Sequence, residues 1–295
     1  MNPKHLIIFC LLLIQLECLS QKDNKRIKLS EISLQTGLFL ESNTTASLEQ
    51  FKNLAPQSTI LESDLTEYSQ SISNQFNGFS MNSLQAGFVI KDKKSKEFKN
   101  NRIFKIGITQ LRSAPLSSAY HRFSELRYDT LISSSTGQVL FLDSMITQFY
   151  TMNYTSSQIR LDLALVFSSS SAARLGISGG VGITAGTSFN SGADITYVRS
   201  ARNQETDQYG EPVEDYVENY SHQSQIENVS SGNCTGASVY LPLSASFRIG
   251  EKENIWNKLH VFCEFRPGVN FSFIPGIRTI ANGSAQVGFG LNLKV

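Results

Sequence analysis

A chain of 295 residues has room for one or two domains, and 26 Lys and Arg against 25 Asp and Glu leave a formal charge of +1, too little basic excess to mark a nucleic-acid partner. Hydrophobic residues make up 40% of the chain, mean hydropathy is −0.15, and no run of about 18 apolar residues occurs, which excludes a polytopic helical membrane protein. Membrane-spanning strands stay open, because they need an apolar residue only at every second position.

The chain begins with a separable unit. Lys4 and His5 precede an apolar run from Leu6 to Ile14, extended by Leu16, and Cys18-Leu19-Ser20 puts small residues at −3 and −1 before Gln21. This predicts a secretory signal peptide over residues 1–20, since the run is too short for an anchor helix. Cys10 and Cys18 leave with it, so Cys234 and Cys263 remain. Residues 21–31 are charged and read as a periplasmic lead-in, with the barrel proper over 32–295. A first strand follows, with Leu34, Thr36, Leu38 and Leu40 alternating with Gln35, Gly37 and Phe39. Residues 42–80 read as a long polar loop with a helical turn near Ala46–Asn53. The second strand is Ser83–Lys91, and after a basic turn the third is Arg102–Leu111. Residues Tyr120–Ser133 and Gln138–Tyr150 flank SSTG as a hairpin. Arg122, Glu125, Arg127 and Asp129 lie on both its faces, and charge on a lipid face costs about 2–4 kcal/mol for Arg at the midplane. The hairpin is therefore expected above the membrane, extending the barrel wall.

The stretch Gln158–Phe189 carries the clearest pattern. Ile159, Leu161, Leu163, Leu165 and Phe167 alternate with Arg160, Asp162, Ala164 and Val166 in strand four. After SSSSAA, the apolar residues from Leu175 to Phe189 alternate with a nearly unbroken series of Gly, Ser and Thr in strand five. Period two means strands. An apolar face opposed by buried-looking charge is the reverse of a soluble sandwich and fits an outer-membrane barrel, apolar toward lipid and polar toward the lumen. Residues 190–235 read as a second long loop, acidic through Asp207, Glu211, Glu214, Asp215, Glu218 and Glu227. Strand six, Ala237–Ile249, contains Pro242, where a bulge or kink is expected. Strand seven is Leu259–Phe273 and strand eight is Ser284–Val295.

The expected fold is thus all-β: an eight-stranded antiparallel transmembrane β-barrel with long extracellular loops and periplasmic termini, or a ten-stranded one if the 120–150 hairpin enters the membrane. Strand eight must pair with strand one, because an open edge leaves unpaired backbone groups in lipid. The inward faces place Lys105, Arg160, Asp162, Arg248, Glu264 and Arg266 in a lumen just wide enough for side chains to fill, and these six are expected to form a charge network that plugs it. The expected pairs are Arg160 with Glu264 and Asp162 with Arg266. Cys234 and Cys263 fall too far apart to bridge. No metal-spaced His cluster, GxSxG or P-loop motif occurs, so no cofactor, metal site or catalytic residue is expected.

The run MNYTSSQIRLDLALVF…ARLGISGGVGITAGTSF, with VYLPLSASFRIG and KLHVFCEFRPGVNFSFIPGIRT, resembles outer-membrane β-barrel proteins of Bacteroidetes, of the small OmpA/OmpX type. The resemblance covers Thr151–Val295, with weaker likeness from Leu34 onward, and "IRLD" and "EFRPG" are its more specific parts. It implies a place in the bacterial outer membrane, with outer-membrane lipid, the barrel assembly machinery and an extracellular protein or other surface ligand as partners. One departure is the terminal Val295, where such barrels usually end in an aromatic residue. The expected role is non-enzymatic and structural or surface-contacting. A small transport pore and an outer-membrane enzyme of the lipase or protease kind are the alternatives.

Overall fold

The computed structural model describes residues 27–71, 76–91, 101–132, 134–135, 137–169, 174–207, 209, 213, 221–250 and 255–295. The expected signal peptide, and Glu211, Glu214, Asp215 and Glu218 of the acidic stretch, lie outside them. In chain order the elements are β1 (Ile27–Ser42), β2 (Thr44–Thr45), α1 (Leu48–Leu54), a 3-10 turn (Ile60–Glu62), β3 (Ser69–Ser71), β4 (Phe76–Ile90), β5 (Arg102–Ile132), β6 (Val139–Ser168), β7 (Leu175–Asp207), β8 (Ser221–Ser230), β9 (Thr235–Tyr240), β10 (Leu243–Arg248), α2 (Ile255–Lys258), β11 (Leu259–Phe273) and β12 (Ile280–Lys294).

Eight antiparallel wall strands close into a ring: β1, β4, β5, β6, β7, the β9–β10 pair, β11 and β12, with β12 returning to β1 from Glu31↔Lys294 to Glu41↔Ser284. Segments β9 and β10 are halves of one wall strand, each bridging β7 and β11. The break falls at Leu241–Pro242, where proline has no N–H to give to the ladder. The seal survives it: the Leu241 N–H donates to the Pro267 carbonyl at 2.9 Å, and the Pro242 carbonyl accepts from Gly180 N–H at 3.0 Å.

The wall is apolar outside and polar inside. Leu34, Ile159, Ile177, Ile183, Leu243 and Phe289 are exposed on the outer face, Ile177 by 65%, whereas Arg160, Asp162, Glu264 and Arg266 inside are each 3% exposed or less. On β6 the outward apolar run from Ile159 to Phe167 covers about 26 Å of strand, matching the roughly 25 Å apolar band of membrane barrels. A closed ring leaves no wall strand with an unpaired edge in that band, which is what a bilayer demands of strands. No described helix is long and apolar enough to cross a membrane.

Above the band the wall continues on one side only. Strands β5, β6 and β7 run on as a blade, with register shifts at Ser113/Leu116, Arg127/Asp129 and Ser157/Gln158, and are joined by β8 along Gly192–Ala201. Beyond Arg112, β5 alone extends a further 20 residues, about 65 Å of strand. The 120–150 hairpin is thus a prolongation of wall strands three and four, turning at Gly137 with φ +72°, and it adds no strand to the ring. Three expectations are corrected. Residues 190–235 are not a loop, because 190–207 complete β7 and 221–230 form β8. Residues 76–80 of the supposed 42–80 loop belong to β4. The lead-in ends early, because Ile27–Glu31 already pair in β1.

The β1–β4 connection folds over the mouth at the blade end. Helix α1 opens with a capping box, Ser47 accepting from Gln50 N–H and the Gln50 side chain accepting from Ser47 N–H, which satisfies end groups that a short helix otherwise leaves open. Its Phe51 and Leu54 join Leu61, Leu116, Met152, Tyr154, Ile195 and Ile274 in a buried apolar cluster. Glu227 of β8 pins this segment to the blade through Ser58 Oγ and Thr59 Oγ1, both donating at 2.5 Å. Burial pushes the Glu227 carboxyl up, but these hydrogen bonds, with backbone N–H groups of Thr59 and Ile60, hold it below its ordinary value.

Two outcomes follow from this architecture. Ile183→Arg places a charge on the outer band and should cut folding yield in lipid vesicles sharply, whereas Gln57→Arg in the exposed connection should not; equal yields would refute the lipid-facing assignment. Because the Glu227 carboxyl titrates lower folded than unfolded, its contribution is present above the ordinary carboxylate range and is lost as pH falls through the folded value. Exchange protection of the Thr59 and Ile60 amides should therefore drop between pH 6 and pH 3 in the parent chain. It should be low and nearly flat over that range in Glu227→Gln.

Candidate functional site

Among the described residues the lumen is where most of the buried ionisable and amide side chains gather, and it is layered along the axis. Alternation delivers them: on β6, Gln158, Arg160 and Asp162 point inward, and on β11, His260, Glu264, Arg266 and Asn270 do. Room for them comes from β7, whose inward series is Gly176, Ser178, Gly180, Gly182, Thr184, Gly186 and Ser188. A Cβ at Gly182 would stand 2.3 Å from Tyr240 Cζ, so the missing side chain is what admits the Tyr240 ring.

The middle layer is centred on Arg266. Its Nη1 donates to Asp162 Oδ2 at 2.9 Å, its Nε to Glu264 Oε1, and its Nη2 to Gln35 Oε1 at 3.0 Å. Asp162 also accepts from Gln85 Nε2 at 2.8 Å, from Thr109 Oγ1 at 3.2 Å and from the Tyr240 hydroxyl. Arg266 lies 5.1 Å from the Tyr240 ring centroid, so its flat face is covered as well. Buried charges are tolerated only when paired and hydrogen-bonded, and this cluster meets that condition for both carboxylates.

The layer toward the blade is organised differently. Arg160 Nε donates to Gln158 Oε1 at 2.8 Å and Nη1 to Asn270 Oδ1 at 2.7 Å, while Asn270 Nδ2 and Ser113 Oγ both donate to Glu41 at 2.5 Å. Arg160 therefore reaches a carboxylate through Asn270. The expected Arg160–Glu264 pair does not form, because Arg160 points to the level of Asn270, above that of Glu264 on the same strand. The expected Asp162–Arg266 pair does form. A Cβ at Gly236 would lie 2.3 Å from Arg160 Nη2, so this glycine makes space for the guanidinium.

At the opposite mouth, beside the short links, Lys105 Nζ lies 3.0 Å from Glu31 Oε1, and Lys294 contacts the other oxygen of the same carboxylate. Arg248 lies here too, half-buried at the end of β10, far from the central cluster. Of the six residues expected to form one network, the fold brings Asp162, Glu264 and Arg266 together. Arg160 sits above them, and Lys105 and Arg248 below. Glu31, Glu41 and Tyr240 complete the layers. All three fall on the inward parity of strands whose alternation is plain, which is the signal that locates them. The two cysteines are free, Cys234 buried and Cys263 exposed. Cys234 adjoins Thr235, which pairs with Phe273, ten residues along β11 from Cys263 and thus about 33 Å away. Among the described residues no group of three or more His, Cys, Asp or Glu could hold a metal ion.

No family profile and no curated protein matches the chain. Among solved structures it is similar to neisserial surface protein A, at 9% identity over 92% of this chain and 100% of that one, with a TM-score of 0.31. It is similar to Ail, the attachment invasion locus protein of Yersinia pestis, at 10% identity over 90% and 100%, with a TM-score of 0.23. For OprB of Pseudomonas putida the values are 6% identity, 92% and 95% coverage, and a TM-score of 0.13. These are outer-membrane β-barrel proteins. At such scores the superpositions are loose, and the fold rests on the closed hydrogen-bonded ring itself.

The middle layer yields a direct test. Arg266→Gln leaves Asp162 and Glu264 as neighbouring buried carboxylates and should lower stability by roughly 3–5 kcal/mol in urea unfolding from micelles. Glu264→Gln should cost stability as well. Glu67→Gln, which removes an exposed pair with Arg122 on the blade side, should change it by less than about 1 kcal/mol. Equal melting of all three would refute the paired plug.

Proposed function

We propose that the protein is a non-enzymatic, integral β-barrel of a bacterial outer membrane whose lumen is closed and whose blade serves as a surface-contact element. The observation that carries this reading is the closure of the tube beyond its charged mouth: ion cluster, amide layer and apolar cap follow one another along the axis. A conducting pore needs a continuous polar path, and the buried cluster of Phe51, Leu54, Leu61 and Met152 stands across it. The resemblance of residues 151–295 to Bacteroidetes barrel proteins supports that source. The blade end then faces outward and the β4–β5, β6–β7 and β10–β11 links face the periplasm, as short turns do in bacterial barrels.

The blade supports contact with an extracellular protein or other surface ligand in two ways. Its outer face exposes Phe123, Phe149 and Ile226, apolar groups above the membrane band. Among the described residues β8 pairs only with β7, so its other edge is open to an added strand.

Purified protein in planar bilayers should be electrically silent. An epitope placed in the β5–β6 turn should be reached by antibody on intact cells, and one placed after Val295 should not. Stable, reproducible openings would favour a pore, and the reverse pattern of epitope access would invert the orientation.

A further inference from the structure

The mouth beside the short links holds a cavity of about 300 Å³ that the plug does not fill. Its lining is built from the last inward positions of the wall. Lys105, Arg248, Lys258 and Lys294 supply four cationic side chains against the one side-chain carboxylate of Glu31 among the described residues, a cationic excess. His260 and a series of serines, including Ser178, Ser244 and Ser246, complete a polar wall.

Two observations say that this excess is not consumed internally, and a third shows acceptors left open beside it. Glu31 is shared between Lys105 and Lys294, so it neutralises neither pair member outright. Arg248 Nε is buried and has no hydrogen-bond partner. Asn292 and Asn257, on the same lining, each carry a buried side-chain oxygen with no donor. A buried guanidinium N–H and two buried amide oxygens left open together are costly, and a ligand that offers both anionic acceptors and a donor group would relieve that cost by drawing these side chains toward the cavity.

We propose that this mouth binds a phosphate-bearing ligand, its anionic oxygens on Arg248 and the lysines and a hydroxyl or ammonium of the same ligand on the asparagine oxygens. Hydrogenphosphate carries acceptors and a P–OH donor in one group. A phospholipid headgroup combines phosphate with a hydroxyl or ammonium. The two share the chemistry and differ in source: free solute at the mouth, or the leaflet that surrounds it. Arginine and lysine are suited to the task, the first by fork geometry and the second as a point charge. The site is at the end of the barrel opposite the blade and is independent of what the blade contacts.

The test uses the full chain in uncharged maltoside micelles. Inorganic phosphate is titrated at pH 7 by calorimetry, and short-chain phosphatidylglycerol and phosphatidylethanolamine are titrated in parallel, alone and in competition. Saturable phosphate binding is expected, at least tenfold weaker in Arg248→Gln and unchanged in Lys52→Gln at the far end of the barrel. Lys258→Gln removes a cation at the rim without touching the wall ladder, and should weaken binding even if the Arg248 variant folds poorly. Lipid that displaces phosphate assigns the site to headgroups as well. Phosphate binding that lipid does not disturb assigns it to the free solute, and lipid binding without phosphate binding assigns it to the leaflet. The proposal is overturned if neither probe binds saturably, if chloride competes equally at equal concentration, or if both variants bind as the parent chain does.

Discussion

The rest of this structure depends on a geometric constraint: in a tube of eight strands, every inward side chain ends within reach of the opposite wall. The bilayer takes the apolar half of each strand, so the polar half is forced into a narrow, enclosed space. Arg266 resolves the most demanding part of that problem. Its guanidinium is met edge-on by Asp162, Glu264 and Gln35 and on its face by Tyr240, so one cation from β11 ties together β1, β6, β9 and its own strand. The charged partners could not approach so closely if β7 carried side chains of ordinary size. Strand β7 is therefore best understood as the volume reserve of the barrel, and its Gly182 gives the Tyr240 ring the room from which its hydroxyl reaches Asp162.

Closure changes in chemistry from one end to the other. Toward the short links the tube ends in excess positive charge and open hydrogen-bonding groups. In the middle it is closed by ion pairs. Toward the blade it passes through amides and a carboxylate to hydrocarbon packing of the kind found in soluble proteins. The apolar cap is possible because the β1–β4 connection leaves the membrane band, where burying hydrocarbon against hydrocarbon again gains free energy from water. One chain thus folds by two opposite solvent rules, and the changeover lies near Leu111–Leu116, where β5 has a bulge between Ser113 and Leu116.

The wall was legible in the sequence because lipid on one side and a packed lumen on the other impose strict alternation. All eight wall strands, the outward set on β6 and β7, and the inward parity of Asp162, Glu264 and Arg266 can be read from period two alone. What alternation does not carry is height. Which residues of non-neighbouring strands share a level depends on stagger around the ring, and parity alone therefore pairs Arg160 with Glu264, whereas it reaches Asn270 and, through it, Glu41. The blade was illegible for a different reason. Above the band neither face is uniformly buried, so residues 190–207 and 221–230 lack the apolar rhythm. They are strands because β6 and β7 offer them a ladder, a tertiary cause that local sequence does not show. Glu31 is hard to read for a third reason: within the charged stretch before the first clear alternation it resembles a solvated residue, and only the shared face of Ser33 and Gln35 marks it as inward.

The continuity of β5, β6 and β7 has a mechanical consequence. No turn or loop separates the tip of the blade from the part of each strand seated in the apolar band, although β5 bulges between Ser113 and Leu116 and β7 carries Gly192 at the changeover. A pull on the tip along the strand direction loads the ladder hydrogen bonds side by side, in shear, across dozens of paired residues, instead of opening them one at a time from an end. The force reaches the membrane as tension in three wall strands that are themselves clamped by the ring. The outermost residues of the blade are thus carried on the same three backbones, and the same hydrogen-bonded ladder, that are seated in the membrane band.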